Sequence, residues 1–257
     1  MLKFKSVNRI FICGMILLIG LEFFAMHSNT AYVIWIMLYL TVVTYGTTVL
    51  SVEFFIPVKY KGIASSGAIA ITFDDGPIPG KTEKILEVLK FHNVQAAFFC
   101  IGNQVACNST LTKQIHNDGH LLGNHSYWHK STFDLQSTKK IQDELYATDI
   151  VIQNTIGLKP VFFRPPYGVT NPMVARAIVN GGYKTIGWSV RSFDTTTKDR
   201  EALFSRVTKS LKSGDIVLFH DYCTLTLEIL PDFITYVHKH GLKIVRVDQL
   251  LNEKAYA

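Results

Sequence analysis

Cysteine is scarce in this chain, and its few cysteines form no recognisable pattern. The four are Cys13, Cys100, Cys107 and Cys223, and no two of them stand in a C-x-x-C pair. Cys13 lies in an apolar run, where it behaves as a small hydrophobic residue. The cysteines therefore neither demand nor exclude an oxidising compartment, and they leave open whether Cys100 and Cys107 pair.

A basic cluster interleaved with aromatic residues is also lacking. The net charge is +6 and the pI is about 9.0, but lysine and arginine are scattered among the acidic residues. We therefore predict no nucleic-acid partner. With 257 residues, 48% of them hydrophobic, the chain can bury one substantial core and carry an accessory segment.

The first 60 residues lack a signal-peptidase cleavage pattern and are strongly apolar. The runs over residues 10–26 and 31 to about 50 each approach the ~20 residues that span a bilayer core. A signal peptide would account for the first run, but no A-x-A site follows and a second long run does. We predict an uncleaved lipid-bilayer anchor over residues 1–60, with two transmembrane helices or one, and a main domain over residues 61–257.

Charges around the apolar runs leave the membrane side of the main domain open. Basic residues flank the pair of runs at Lys3, Lys5, Arg9, Lys59 and Lys61, and the link between the runs has none. Two spans would place the main domain in the cytoplasm, whereas one span would place it outside. Glu22 lies inside the first run, so that helix would be tilted, paired or interfacial.

Short apolar runs alternate with amphipathic stretches after Gly62. Nearly continuous apolarity is typical of parallel strands buried on both faces. The predicted strands are residues 68–73, 96–101, 120–123, 161–163, 185–188, 216–219 and 243–247. Leu230, Ile234 and Val237 repeat at helical spacing before Gly241, a residue typical of a helix end. This alternation fits a (β/α) barrel of seven or eight units or an open doubly wound sheet.

Chemically active side chains follow the ends of five predicted strands. They are Asp74 and Asp75, His125, Arg164, Trp188 with Asp194, and His220. A ligand on an open sheet draws on two or three strands, whereas the mouth of a barrel collects residues from many. We therefore predict an α/β fold that is a distorted barrel.

Adjacent carboxylates and a histidine pair indicate metal chemistry. Because successive strand side chains point in opposite directions, we expect Asp74 and Asp75 to do different jobs, although a solvated turn is the alternative. His125 and His129 are four apart and can meet one metal ion, unless they are structural. Ser126 stands where a zincin has its general base. One Asp can complete a three-ligand site while the other takes a proton from water, which is metal-assisted hydrolysis.

Two further motifs supply a cation and another histidine. Arg164 precedes two prolines after a strand, and its rigid donor fork would hold and acidify a nearby carboxylate. His220 emerges from an apolar strand. A surface salt bridge and a buried structural histidine are the respective alternatives. We predict no role for the histidines at positions 27, 92, 116, 120, 238 and 240.

Five motifs, in this order, resemble those of the polysaccharide deacetylases, carbohydrate esterase family 4, with its NodB-homology domain. They are T-F-D-D-G-P at 72–77, H-S-Y-W-H at 125–129, F-R-P-P-Y-G at 163–168, W-x5-D at 188–194 and L-F-H at 218–220. The resemblance covers roughly residues 66–250. It implies a distorted barrel that removes N-acetyl groups from amino sugars of a polysaccharide such as peptidoglycan or a chitin-like glycan.

The resemblance also implies a metal site. A divalent cation, commonly zinc, with cobalt, nickel or manganese as options, would be held by Asp75, His125 and His129. Asp74 would be the catalytic base, oriented by Arg164.

The remaining implied roles concern the acid and the pocket. His220 would be the general acid, supported by Asp194, and the backbone N–H of Tyr167 would stabilise the oxyanion. Trp188 and Leu218 would line the pocket for the acyl methyl group.

Two positions depart from the family pattern, and three alternatives remain. Thr195 stands where a Trp is usual, and Arg191 where many members have Asp or a neutral residue, so substrate contacts on that wall are not implied.

A non-haem iron oxygenase also uses two histidines and one carboxylate as metal ligands, but in a different order along the sequence. A binding-only pseudoenzyme on the same fold would lack one of the catalytic or metal-binding residues. A cytoplasmic domain would favour a lipid-linked or nucleotide-linked amino sugar over a finished polymer.

Overall fold

Two long apolar helices begin the protein in the computed structural model, which describes residues 3–22 and 29–257. They are α1 (Phe4–Glu22) and α2 (Asn29–Thr48), both long and apolar enough to cross a membrane. Two of the four residues that link the two apolar runs, His27 and Ser28, lie outside the described residues. Glu22 is the last described residue of α1.

The two helices pack against each other as a hairpin. A Cβ on Gly14 would lie only 2.4 Å from the Trp35 ring, so the small residue permits the close approach. The indole N–H of Trp35 donates to the carbonyl of Phe11 at 3.1 Å, and the Phe11 and Tyr39 rings stack 4.1 Å apart. Most other side chains of the pair are apolar and exposed, as expected of a lipid-facing surface.

A curled sheet of eight parallel strands forms the main domain. Its strands are β1 (Ala68–Asp74), β2 (Ala97–Cys100), β3 (Leu121–Asn124), β4 (Phe162–Phe163), β5 (Lys184–Thr185), β6 (Val190–Arg191), β7 (Ile216–His220) and β8 (Lys243–Ile244). The order is β5-β4-β3-β2-β1-β7-β6, with β8 paired to the start of β1. The predicted distorted barrel is therefore confirmed as a half-barrel, in which the terminal strands β5 and β6 do not pair with each other in the described chain.

Helices surround the sheet on its outer side. They are α3 (Thr82–Phe91), α4 (Gly102–Cys107), α5 (Ser109–Asn117), α6 (Thr138–Ile156), α7 (Pro172–Gly181), α8 (Arg200–Thr208), α9 (Thr224–Lys239) and α10 (Val247–Leu251). Every residue of β1 is buried, since this central strand has neighbours on both edges. All four cysteine thiols are free, so Cys100 and Cys107 do not pair.

The chain around Trp188 differs from the predicted strand at 185–188. Lys59 donates its backbone N–H to Thr185 and accepts one from Gly187, so residues before β1 occupy this sheet edge. Trp188 lies in the link between β5 and β6, and β6 was not predicted. Two short strands interrupted by a glycine leave too weak a periodicity to be recognised.

The segment over residues 50–60 packs into the main domain. Leu50, Ile56 and Val58 are buried in one hydrophobic cluster with Phe163 and Ile178. This part of the predicted anchor therefore contributes to the core of the half-barrel.

Candidate active site

The carboxyl ends of the parallel strands meet at one edge, and the predicted site residues gather there. Asp74 and His220 end neighbouring strands β1 and β7 in register. His125 follows β3, Arg164 follows β4 and Asp194 follows β6. Because parallel strands place all their carboxyl ends on the same side, residues distant in sequence reach one pocket.

Both acids after β1 face this pocket. Asp74 Oδ2 lies 3.7 Å and Asp75 Oδ1 lies 3.4 Å from the Nε2 atom of His125. The expected alternation of side chains fails here because Asp75 has a φ of 79°, which takes it out of strand geometry. Their partners still differ, since Asp74 also binds a guanidinium whereas Asp75 faces a second imidazole.

The histidine pair lies in a compact loop after β3. The Nε2 atoms of His125 and His129 each lie 3.4 Å from Asp75 Oδ1. His125 Nδ1 lies 2.7 Å from the carbonyl of Arg164, which makes Nδ1 the protonated nitrogen and leaves Nε2 free as a ligand. Ser126 accepts the backbone N–H of His129 at 3.1 Å, so it shapes the loop.

A buried polar network that sequence reasoning missed supports the same loop. Asn124 accepts the backbone N–H of Ser126 at 3.0 Å and donates to Asp149 at 2.8 Å. The hydroxyl of Tyr183 donates to the other oxygen of Asp149 at 2.7 Å. The sequence does indicate this network, because Asp149 is an acid on the buried face of α6, four residues after Leu145.

Arg164 is fully buried, and its guanidinium donates four hydrogen bonds. Its guanidinium donates to Asp74 Oδ1 at 2.7 Å, to Thr72 at 2.8 Å and to the carbonyls of Ile186 and Gly187. The guanidinium also lies 4.1 Å from the centroid of the buried Phe99 ring. This arrangement fixes the Asp74 carboxylate rigidly at the pocket floor.

His220 is held by the carboxylate of Asp194. Its Nδ1 lies 2.8 Å from Asp194 Oδ1, and its backbone N–H donates to Oδ2 at 2.7 Å. The hydroxyls of Thr226 and Ser192 also donate to Asp194, at 2.5 and 2.9 Å. Burial lowers the pKa of His220, but the hydrogen bond to Asp194 and the charges of Asp194, Asp74 and Asp75 together raise it. The Nε2 atom is left facing the pocket, 4.0 Å from Asp75 Oδ2.

Burial and mutual charge interactions shift the pKa values of Asp75, His125 and His129. Burial raises the pKa of Asp75, but the facing imidazole of His125 and the charges of His129 and His220 outweigh it and lower the pKa to about 2. Burial lowers the pKa of His125, and Asp74 and Asp75 reverse this and raise it. Burial and the neighbouring His125 lower the pKa of His129 to about 4. Asp75 is thus an anion and His129 a neutral imidazole near pH 7.

The pocket walls are largely aromatic. Trp188 and Leu218 line one side, and Gly168 makes room for the indole, since a Cβ there would lie 2.5 Å from it. The exposed rings of Tyr167 and Tyr222 form part of the rim. Tyr222 was not predicted, because it follows its strand at a position with no motif.

Backbone strain is concentrated around this pocket. Non-glycine residues with positive φ here are Asp75, Ser126, His129, Tyr167 and Phe193. Such conformations persist where the surroundings determine them and recur at functional sites.

The donor set of Asp75, His125 and His129 fits a divalent cation. Their ligand atoms lie within 4.8 Å of one another. Asp75 Oδ1 is buried and has no hydrogen-bond partner among the described residues, which is costly unless a cation is bound. One carboxylate with two imidazoles is a ligand set typical of catalytic zinc.

Comparison with known proteins identifies the family of the chain. The family model of polysaccharide deacetylase matches residues 61–186. A peptidoglycan-N-acetylglucosamine deacetylase of Bacillus cereus is 35% identical over 191 residues, which cover 72% of this chain and 89% of that protein. The chain belongs to the polysaccharide deacetylase family. The peptidoglycan-N-acetylmuramic acid deacetylase PdaA of Bacillus subtilis is 33% identical to this family member, over 76% of this chain and 75% of PdaA.

The family relatives differ in length. The peptidoglycan-N-acetylglucosamine deacetylase PgdA of Listeria monocytogenes is 36% identical over 72% of this chain, but the match spans only 39% of PgdA. Among solved polysaccharide deacetylases, the Bc1960 peptidoglycan N-acetylglucosamine deacetylase superposes with a TM-score of 0.74 at 25% identity, covering 78% of this chain and 95% of that one. A family 4 pseudoenzyme of Bacillus anthracis superposes with a TM-score of 0.72 at 30% identity, covering 77% and 70%.

Proposed function

We propose that this polysaccharide deacetylase family member is a divalent-metal-dependent hydrolase that removes N-acetyl groups from amino sugars of peptidoglycan or a chitin-like glycan. The observation that carries the proposal is the grouping of Asp75, His125 and His129, with Asp74 Oδ2 3.7 Å from His125 and His220 Nε2 4.0 Å from Asp75. The names of the relatives from Bacillus and Listeria support the substrate class.

Asp74 is the general base in this proposal. A divalent ion such as zinc, held by Asp75, His125 and His129, would polarise the acyl carbonyl and acidify water. Asp74 takes the proton of the attacking water at Oδ2, since its Oδ1 is engaged by Arg164. The buried guanidinium keeps the carboxylate aligned without competing for that proton.

His220 is the general acid. Because its Nδ1 is bound to Asp194, its proton exchange with substrate takes place at Nε2, which faces the pocket. It delivers this proton to the departing amine nitrogen as the C–N bond breaks. The backbone N–H of Tyr167 donates to the oxyanion that develops on the substrate carbonyl.

Trp188 and Leu218 enclose the acyl methyl group. Leu218 is buried and Trp188 half-buried, so both offer apolar surface at the pocket wall. A small apolar recess favours acetyl over longer acyl groups, because overpacking is destabilising.

Two substitutions test the mechanism together. Asp75→Ala should lose the bound metal and deacetylation, whereas Asp74→Asn should lose deacetylation and keep the metal. The measurements are acetate release from N-acetylated glycans and metal content of the purified protein. Asp143→Asn is a control, since Asp143 is an exposed acid of α6 that pairs with the exposed Lys139.

Unchanged acetate release by Asp75→Ala would contradict the proposal. A wild-type protein that binds metal but releases no acetate would instead indicate a pseudoenzyme.

A second candidate substrate is a lipid-linked or nucleotide-linked amino sugar. It is favoured by the hairpin of α1 and α2, which we propose to be a two-span membrane anchor within residues 1–60. The backbone N–H of Phe4 donates to the carbonyl of Phe54 at 3.0 Å, and Lys3 lies 3.6 Å from the Glu53 carboxylate, so the two ends of the hairpin meet. If both helices cross the bilayer, the catalytic domain lies on the same side as the N-terminus.

Protease accessibility distinguishes these topologies. In sealed vesicles, an N-terminal tag and a C-terminal tag should be cut from the same face. Cleavage from opposite faces would indicate a single span. A cytoplasmic domain would support the precursor substrate, and an external one the finished polymer.

A further inference from the structure

Beside Trp188 and Leu218, the pocket wall carries an arginine that has no acidic partner among the described residues. Arg191 is the exposed last residue of β6 and lines the same pocket as Asp74 and Asp75. Among the described residues its side chain makes neither a hydrogen bond nor an ion pair. Arg164, Arg200 and Arg246, by contrast, each pair with a carboxylate.

Two aromatic rings hold this guanidinium in place. It lies 4.7 Å from the ring centroid of Phe193 and 5.5 Å from that of Trp188. A second cation, Arg206, lies 5.2 Å from the centroid of the Phe193 ring. Contacts with ring faces orient a guanidinium but consume none of its N–H donors.

The backbone conformation at Phe193 exposes the aromatic ring of that residue. Phe193 has a φ of 57°, unusual for a bulky residue, and its side chain is 40% exposed. An aromatic ring displayed from a strained backbone at the cost of burial is expected where it has a functional use. The Arg191 guanidinium lies over this ring, so the ring can orient it.

An oriented guanidinium with free donors recognises planar or tetrahedral anions through paired hydrogen bonds. We propose that Arg191 binds an anionic substituent of the amino-sugar substrate, and so selects substrates with a carboxylate or phosphate near the acylated amine. This inference rests on the proposed deacetylase function and names the substrate class. A neutral glucosamine polymer offers no such group, whereas a lactyl ether carboxylate or a glycosyl phosphate does.

The first test compares kcat/KM for acetate release from three substrates. They are a neutral N-acetylglucosamine oligomer, a peptide-free glycan strand with lactyl carboxylates, and an N-acetylglucosamine nucleotide diphosphate. We expect wild type to prefer an anionic substrate, and Arg191→Gln to reduce the anionic-to-neutral ratio by roughly 10- to 100-fold, chiefly through KM. Arg191→Lys should retain part of the preference for the anionic substrate, because lysine keeps the positive charge but lacks the paired N–H donors of a guanidinium.

Arg206→Gln is the matched control, since it removes a cation from the same ring outside the pocket lining. The ratio of kcat/KM on anionic to neutral substrates should stay within about twofold of the wild-type ratio, because a surface charge outside the pocket is screened by salt. Preference for the lactyl strand would identify a carboxylate, and preference for the nucleotide a phosphate.

Equilibrium binding to the Asp74→Asn protein provides a readout that needs no turnover. We expect the anionic sugar to bind at least about 10-fold more tightly than the neutral one, and Arg191→Gln in that background to abolish the difference. Equal binding of both sugars, or an unchanged difference in the double variant, would overturn the inference. Absence of acetate release from every substrate would refute the deacetylase function, while binding would still decide the role of Arg191.

Discussion

The Asp194 carboxylate decides which nitrogen of His220 can exchange a proton. It accepts from Nδ1 and from the backbone N–H of the same residue, and two hydroxyls complete its hydrogen bonds. An imidazole held in this way can act as an acid only at Nε2. Asp194 is thus a positioning residue in our proposal, acting through His220.

Asp194→Asn should lower kcat by about 100- to 10,000-fold with little change in KM, because an amide can present an N–H to Nδ1 and favour the wrong tautomer. Metal content should be unchanged. Thr226→Val, which removes one bond to Asp194, should cost less than about 10-fold. Loss of metal in Asp194→Asn would show that this residue supports the ligands instead.

His120 is buried far from this chemistry and has a structural use. Its Nδ1 accepts the backbone N–H of Ala96 at 3.1 Å, and its ring packs on Phe98. Burial lowers its pKa to about 4, with Asp118 opposing and Arg246 adding to the shift. Because the folded state resists protonation of His120, its contribution is intact above pH 6.5 and is lost as pH falls toward 4.

The corresponding loss of unfolding free energy is about 3 kcal/mol between pH 6.5 and 4. His120→Gln should remove this part of the pH dependence, measured by denaturant unfolding across that range. An identical pH profile in the variant would refute a buried neutral imidazole.

Among the structural elements, the loop after β3 depends on helix α6. Asn124 links the two, because it donates to Asp149 and to the carbonyl of Leu145 on α6, both at 2.8 Å, and accepts from the loop at Ser126. The helix therefore positions a loop that carries two candidate ligands. Partners behind a metal ligand commonly tune metal affinity.

Asn124→Ala should weaken metal binding by roughly 10- to 100-fold and reduce unfolding free energy by about 1–3 kcal/mol, since Asp149 and the Ser126 N–H lose a partner. Metal titration and thermal unfolding would measure the two effects. Thr155→Val, on the same helix, removes only a bond to the carbonyl of Val151 and serves as the control. Metal affinity equal to wild type in Asn124→Ala would contradict this coupling.

At the scale of the whole molecule, the chain between the hairpin and β1 belongs to the half-barrel core. Leu50, Ile56 and Val58 are buried, and Lys59 pairs with the sheet edge beside β5. Thr170 also donates its N–H to the carbonyl of Thr47 at 3.0 Å. We therefore propose that the boundary between anchor and catalytic domain lies near residue 49.

A chain beginning at Val49 should fold without the hairpin, whereas one beginning at Lys61 should be severely destabilised. Burial of three such side chains contributes roughly 5 kcal/mol, comparable to the whole stability of a domain. Thermal unfolding of the two truncated proteins tests this. Equal stability would place the boundary at residue 60.

Local patterns were sufficient to predict most of the alternating strands and helices, although β6 was missed, and the polar residues that follow the strand ends. Each buried parallel strand is a short apolar run, and a polar side chain directly after it stands out against that background. The chemistry of Asp74, Asp75, His125 and His129 could be inferred because those residue types suit hydrolysis at a metal ion. Their grouping also followed, since parallel strands end at one edge.

Tertiary structure alone decided what local patterns do not encode. The positive φ of Asp75 turned both acids to one pocket, the segment at residues 50–60 joined the core, and Asn124 connected the histidine loop to α6. Arg191 lies between two rings only because β6 adds to the edge of β7. These features depend on contacts between residues far apart in sequence, where packing and hydrogen bonding, and not local periodicity, determine the conformation.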